Sequence, residues 1–282
     1  MSVVTPRPQS SLRIKPWLRP LKRSLKAAAA AAALIYFIPE ITIFYVLCGI
    51  YDAARNRPVS LEVLDKYFLG NGVGTWVMPP FNILLDLLCL PYRNKGVYKL
   101  EDLPEAYQQE LRHVIDSAVQ ADLVTQLQEK TRDHARTMFF FKWYGANVDT
   151  TLQIPAFHAD YRYVKTIGVS VFNKKEWTSK HFGYTRASLR VLYNINDSED
   201  ASAYIQVGAA VNYWRDNKLF IFDDTLMHQS INDSDKPRYC LFIDIVRPSL
   251  LPAVLGVVID TIRIVAGRVN SIFYNRWKLL RA

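Results

Sequence analysis

The chain has 282 residues, half of them hydrophobic, which is enough for a buried core and too many for a disordered polymer. Its formal net charge of +9 is concentrated in residues 1–26, where Arg7, Arg13, Lys15, Arg19, Lys22, Arg23 and Lys26 supply +7 without one acidic residue, leaving +2 for the other 256. The folded part therefore lacks the basic surface of a nucleic-acid binder, and no zinc-finger or RNA-binding motif occurs, so no nucleic-acid partner is expected.

Residues 1–26 read as a basic cytosolic tail suited to an anionic membrane surface. The run AAAAAAALIYFIPEITIFYVLCGIY over 27–51 is long enough to cross a bilayer and reads as a membrane segment. Pro39 and Glu40 interrupt it. The acid costs on the order of 2–3 kcal/mol at mid-bilayer and the proline kinks a helix, so a broken or hairpin-like insertion competes with a simple span. Residues 52–100 form a membrane-proximal region with a second apolar segment at 75–92, which Asp86 and Pro79-Pro80 make re-entrant or interfacial. A helical module follows over 101–136, with Leu103, Tyr107, Leu111, Ile115, Val119 and Leu123 at steps of four.

After FFFKWYG (139–145) the chain becomes a series of short runs rich in Val, Ile, Tyr and Phe: YVKTIGVSVF, ASLRVLYNI, SAYIQVGAAVNYW, KLFIFDD and RYCLFIDIV. Closely spaced strands of this kind argue for a barrel or sandwich. Residues 249–282 return to helical spacing, with Leu251, Val254, Leu255, Val258, Ile262, Val265, Val269 and Ile272 in one stripe and Arg276, Lys278 and Arg281 near the end. That is a basic amphipathic helix of the sort that lies on a membrane. Cys48, Cys89 and Cys240 are far apart without CxxC spacing and fit a reducing compartment. No motif reports an oligomeric state.

Two of the five histidines stand out. His181 precedes the ASLRVLYNI strand, and His228 lies ten residues before Arg238, across the turn Asn232-Asp233-Ser234-Asp235 that would fold Arg238 back toward it. Two neutral imidazoles suit Fe(II), and a buried arginine beyond them can grip a carboxylate with two hydrogen bonds. A 2-oxo diacid would satisfy both. His158-Ala159-Asp160 matches an HxD string but lies before the strands and lacks a following arginine strand. His113 and His134 read as solvated positions of the helical module.

The segments VSVFNKKEWTSKHFGYTRASLRVLYNI (169–195) and KLFIFDDTLMHQSINDSDKPRYCLFIDIVRP (218–248) resemble the aspartyl/asparaginyl β-hydroxylase family of Fe(II)- and 2-oxoglutarate-dependent dioxygenases. The resemblance implies a mainly β catalytic domain over 137–248, a double-stranded β-helix of jelly-roll, cupin-like form, with flanking helices and membrane-associated N- and C-terminal segments. It makes His181 and His228 the iron ligands and Arg238 the clamp on the distal carboxylate of 2-oxoglutarate, with Ser170 and Arg190 as further cosubstrate contacts and O2 as oxidant. Gly183 stands where the wider group of dioxygenases keeps a carboxylate, and Leu192 where some members keep a polar pocket residue. In layout the chain is similar to the lipid A 2-hydroxylase branch and to ornithine-lipid hydroxylases. That implies a membrane lipid as substrate and a cytoplasmic-membrane location with the catalytic domain facing the cytosol. Two other readings stay open: a peptidyl aspartyl/asparaginyl β-hydroxylase, and a non-catalytic membrane-attached binding protein with a degenerate barrel.

Overall fold

The computed structural model describes residues 18–267 and 277–280; Arg7, Arg13 and Lys15 of the basic tail, and Val269 and Ile272 of the C-terminal stripe, lie outside them. The chain divides into two compact units, Met1–Leu47 and Cys48–Ala282. The first holds α1 (Leu18–Phe37) and the opening of α2 (Pro39–Ala54). Here the expected bilayer crossing over 27–51 is corrected: among the described residues no helix is long and apolar enough to span a membrane. Pro39 offers no N–H and its ring clashes with the preceding turn, so α1 ends at Phe37. The helix before the break begins with Arg19, Lys22, Arg23 and Lys26, and the one after it has 16 residues against the ~20 that a span needs.

In the second unit the 75–92 stretch forms two short helices. After α3 (Leu61–Asp65) and a π-helical turn at Lys66–Gly70 come α4 (Gly74–Val77) and α5 (Pro79–Leu88). Asp86, the acid that spoils this stretch as a span, accepts hydrogen bonds from Arg186 and Arg247 of the β domain. A short strand β1 (Val97–Tyr98) leads to α6 (Glu105–Gln120) and α7 (Leu123–Thr131). The buried face of α6 is Tyr107, Leu111, Val114, Ile115 and Ala118, while Val119 is 52 % exposed. A strict four-residue step gains ~40° per repeat on a helix of 3.6 residues per turn, so its third step has turned out of the core.

The β domain comprises β2 (Arg136–Trp143), β3 (Ala146–Asn147), a helical turn α8 (Pro155–His158), β4 (Val164–Phe172), β5 (Glu176–Trp177), β6 (Ser188–Asn194), β7 (Ala203–Val207), β8 (Ala210–Tyr213), β9 (Leu219–Phe222), β10 (His228–Asn232) and β11 (Arg238–Val246). Then come α9 (Pro252–Gly267) and β12 (Lys278–Leu280). The larger sheet runs β1-β9-β6-β11-β4-β2-β12, and the smaller runs β5-β10-β7-β8. From β4 to β11 the chain passes repeatedly between the sheets, so that first and last strands pair (β4 with β11) in one sheet and second and second-last (β5 with β10) in the other. This interleaving is the double-stranded β-helix. The C-terminal helix expected over 249–282 is described only as α9. Lys278–Leu280 instead pair in parallel with β2, where Leu280 packs on the core.

Antiparallel register sorts the side chains of the larger sheet into two faces. Arg238 pairs with Phe172, Cys240 with Ser170 and Asn194, Phe242 with Leu192, and Asp244 with Arg190. These residues share the inner face, because alternate positions of a strand point the same way. There Met138, Leu192, Phe220, Phe222, Cys240 and Phe242 meet Ala203, Ile205 and Val207 of the smaller sheet. The outer face, including Val169, Val171, Leu241 and Ile243, packs on Leu111, Val114 and Leu127 of α6 and α7. The HxD string lies on that outer side: Phe157 beside His158 belongs to the helix-packed core, away from the barrel interior. His113 is exposed and His134 half-buried.

Candidate functional site

His181 and His228 face each other at one end of the barrel. Each backbone N–H donates to the other's carbonyl, at 3.1 and 2.9 Å, and this reciprocal pair sets both side chains on the same face. Their ring centroids are 4.2 Å apart. His181 Nδ1 lies 2.7 Å from the Ser179 carbonyl and His228 Nδ1 2.9 Å from the Leu226 carbonyl. A carbonyl only accepts, so both protons sit on Nδ1 and both Nε2 atoms keep their lone pairs. Burial and the neighbouring Arg190 charge depress the pKa of His181, and burial, the other imidazole and Arg190 depress that of His228 well below its ordinary value. Neutral imidazoles with fixed tautomers and free Nε2 lone pairs are what a divalent transition metal requires, so these residues fit a metal ion. Among the described residues no group of three or more His, Cys, Asp or Glu side chains is arranged to hold one, so the protein's share of such a site is this pair.

Two residues further along β10, about 7 Å of strand, Ser230 Oγ accepts a 2.9 Å hydrogen bond from Arg238 Nη1. The Arg238 guanidinium is stacked over Phe172 at 4.4 Å and lies 5.5 Å from the Trp214 ring. It is 2 % exposed, its Nε has no hydrogen-bond partner, and no carboxylate among the described residues pairs with it. Burial pulls its pKa down. Ser170 sits on the same interior face, its hydroxyl donating to the Cys240 carbonyl at 3.3 Å.

Arg190 lies elsewhere. Its Nε donates to Asp244 at 2.6 Å and its Nη2 to Asp224 at 3.1 Å, with the guanidinium 3.8 Å from the Phe242 ring. Its cross-strand partner Asp244 is six residues along β11 from Arg238, on the order of 20 Å of strand. Ser170 thus shares the interior face with Arg238, while Arg190 lies toward the histidine end. One cation faces two carboxylates there, and Asp244 holds the shorter bond. Burial, with Asp244 and Asp223 nearby, raises the pKa of Asp224 to about 7.

Asp224 was not legible as a site residue. A Cβ built on Gly183 would lie 2.5 Å from Asp224 Cγ and Oδ1, and Gly183 N–H donates to the Asp224 carbonyl at 2.7 Å. The space in which a side chain at 183 would begin is filled by a carboxylate arriving from residue 224. The one sequence signal is the FDD at the end of β9, adjacent acids with divergent fates. Asp223 accepts from Arg55 and Asn94, each at 2.6 Å, and is held well below the usual carboxylate range by the Arg55 and Arg186 charges despite its burial.

The chain is thus a double-stranded β-helix with two neutral histidines at one end and, inside among apolar side chains, an arginine without a carboxylate. A family model described as aspartyl/asparaginyl β-hydroxylase matches residues 105–248, about half of the chain. The chain belongs to that family of hydroxylases. An ornithine lipid ester-linked acyl 2-hydroxylase of Rhizobium tropici is 34 % identical over 85 residues, 30 % of this chain and 30 % of that protein; the chain thus spans under a third of that relative's length. Among solved structures, an oxidoreductase of the 2-oxoglutarate–Fe(II) oxygenase family from Burkholderia pseudomallei aligns at 10 % identity and TM-score 0.26, over 33 % of this chain and 50 % of its own. A salicylate 1,2-dioxygenase from Pseudaminobacter salicylatoxidans aligns at 7 % identity and TM-score 0.27, over 58 % and 39 %. The fold assignment rests on the strand pairings themselves.

Proposed function

We propose that the protein is an Fe(II)- and 2-oxoglutarate-dependent hydroxylase that oxidises a fatty acyl chain of a membrane lipid, at the cytosolic face of the membrane. The observation that carries the cosubstrate is Arg238, a buried cation without a carboxylate, which meets β10 two residues along from His228. A buried charge is tolerated when a partner completes it, and a diacid whose other end reaches the metal would do so. His181 and His228 would hold iron through Nε2. Bound there, iron with O2 supplies the oxidising chemistry by which C–H becomes C–OH while 2-oxoglutarate is converted to succinate and CO2.

The chain's own residues do the remaining work. Arg238 and Ser230 orient the distal carboxylate, with Ser170 on the same face. Phe220, Phe222, Phe242, Leu192 and Met138 keep water from the interior. Leu192, where a polar pocket residue was conceivable, belongs to this apolar lining. At the mouth Asp224 can hold a proton, on a carboxyl that burial raises to about 7 against the opposing charge of Arg190.

The lipid is supported by the name of the Rhizobium relative and by surface chemistry. Helices α5 and α9 meet over Leu85, Ala187, Val246, Leu255 and Ile259, at the end of the sheet where β6 starts and β11 stops. That is also the end where Arg190 and the histidines lie. Outward they expose Phe81, Leu84, Leu87, Val254, Val257 and Ile264. Such a face suits contact with a bilayer interface rather than a span. The test is lipid mass spectrometry of cells expressing the wild-type chain or His228→Ala. An acyl species one oxygen heavier, present only with the wild type, is expected. Its persistence in His228→Ala, or its absence alongside a hydroxylated peptide product, overturns the reading.

A further inference from the structure

Beside the histidine end of the barrel lies a cleft of about 260 Å³, whose lining includes Arg55, Arg57, Lys95, Val97, Val207 and Leu226. We propose that this cleft binds the anionic headgroup of the lipid whose acyl chain enters the barrel, an inference that rests on the functional reading above and deepens it.

The floor of the cleft is one residue layer from the histidine pair. The Leu226 carbonyl is the partner of His228 Nδ1 at 2.9 Å. Val207 is the cross-strand partner of His228. Val97 pairs with Phe222, whose ring is 5.3 Å from that of His228. The basic segment of the rim is tied to the same place, because Asn56 Oδ1 accepts from the Met227 backbone N–H at 2.7 Å. Cleft and histidine pair are thus held in register by hydrogen bonds that run through residues 226–228.

Charge and size specify the ligand. Arg55 is committed to Asp223 at 2.6 Å and to Thr225 at 3.1 Å, which fixes the rim. Lys95 pairs with Asp102 at 2.6 Å, but both side chains meet solvent, and such a surface pair exchanges partners at little cost. Arg57 is exposed and forms no ion pair among the described residues, so the cleft presents an uncommitted guanidinium, suited to a phosphate or carboxylate. The volume is below the ~300–1,000 Å³ of sites for drug-sized ligands and suits a headgroup rather than a whole lipid. The reaction requires such proximity: the 2-position of an ester-linked chain is the carbon next to the ester carbonyl, so oxidation there leaves the headgroup at the mouth.

The test is calorimetric binding to the full chain of dihexanoyl phosphatidic acid, dihexanoyl phosphatidylcholine and inorganic phosphate. The lipids are used below their micelle concentration so that residues 1–26 meet no membrane. The wild type is expected to bind phosphatidic acid at least tenfold more tightly than either phosphatidylcholine or inorganic phosphate. Arg57→Glu should lose at least tenfold of that affinity and Arg57→Ala a smaller fraction, while His228→Ala keeps it. Equal affinity in wild type and Arg57→Glu overturns the proposal, and so does equal affinity for lipid and inorganic phosphate, which would mark a free-anion site. No turnover is needed for this measurement. A chain that binds phosphatidic acid in this way but hydroxylates no lipid would sink the functional reading and leave the cleft standing.

Discussion

Gly183→Ala is the sharpest perturbation that the site allows. The added methyl would stand 2.5 Å from Asp224 Cγ and Oδ1 and 2.7 Å from Oδ2. Ordinary contact is at least 3.4 Å, so the carboxylate must retreat by about 1 Å, and the 3.1 Å bond from Arg190 Nη2 is lost or bent. The Asp224 side chain is 16 % exposed and has little room to yield. Overpacking of this kind costs about 1–3 kcal/mol, and the loosened charge-assisted hydrogen bond moves the value toward the upper end. Urea denaturation in the presence of a chelator measures it without the stabilisation that a bound metal adds. In the double variant Gly183→Ala/Asp224→Gly the methyl has its space, so the two losses should fall short of adding by at least ~1 kcal/mol. The same clash bears on Gly183→Asp, which restores an HxD string: it should weaken Fe(II) retention, because the new side chain must enter space already filled. A Gly183→Ala chain with the wild-type midpoint, or strictly additive losses in the cycle, refutes the assignment of Asp224 to that space.

Further predictions rest on single features. Asp224 is raised from 3.8 to about 7 in the fold, so the folded state holds this proton more tightly than the unfolded chain. The stability it contributes is full below pH ~4 and is lost as pH climbs through 7, on the order of 1 kcal/mol per unit across that window. The denaturation midpoint of Asp224→Asn relative to wild type should therefore rise from pH 4.5 to 7 and level off above; a flat difference contradicts the shift. Asp86→Asn removes the carboxylate that Arg247 and Arg186 share, and both guanidiniums are almost fully buried. A loss of about 3–5 kcal/mol in denaturant is expected, and Asp86→Asn/Arg247→Met should recover part of it. Arg238→Met replaces an unpaired buried cation with an apolar side chain. The metal-free chain should become more stable, on the order of 1 kcal/mol, while calorimetric affinity for 2-oxoglutarate disappears. A destabilised variant that still binds the diacid would remove Arg238 from its role.

Much of the β domain was legible because its strands announce themselves by composition: ASLRVLYNI became β6 and RYCLFIDIV became β11, with Arg238 at the start of the strand as its spacing after His228 implied. The strand that carries the second histidine was not. HQSIN has one large apolar residue, yet His228, Ser230 and Asn232 are buried and alternate with the less buried Gln229 and Ile231. The period of two is present there in polar residues, which a hydrophobic pattern overlooks. Long-range pairs were illegible for a different reason. Asp86 meets Arg186 and Arg247, and Asp223 meets Arg55, across 100 to 168 residues of chain, and nothing local marks one acid among 26 as the partner of a distant arginine. The apolar run at 27–51 is long enough for a span, but Pro39, already visible as an interruption, divides it between two helices.

The placement of charge explains why a site lacking a carboxylate at residue 183 need not be a derelict one. Among the described residues Arg186 and Arg247, almost fully buried, and Arg55, half-buried, are each paired with an aspartate, whereas Lys142 and Arg238, each 2 % exposed, form no ion pair. Those pairs fasten residues 52–86 to the ends of β6, β9 and β11, so the mouth is a built surface rather than a frayed edge. Lys142 donates to the Ala159 carbonyl, whereas Arg238 lies over the Phe172 and Trp214 rings, with Nη1 on Ser230 and Nε without a partner. A barrel decaying toward a passive scaffold would gain by replacing that arginine with an apolar residue, since an uncompensated buried charge costs stability while it binds nothing. Within the described residues Arg238 meets a hydroxyl and two aromatic rings but no carboxylate, and the ligand proposed above would bring the missing negative charge.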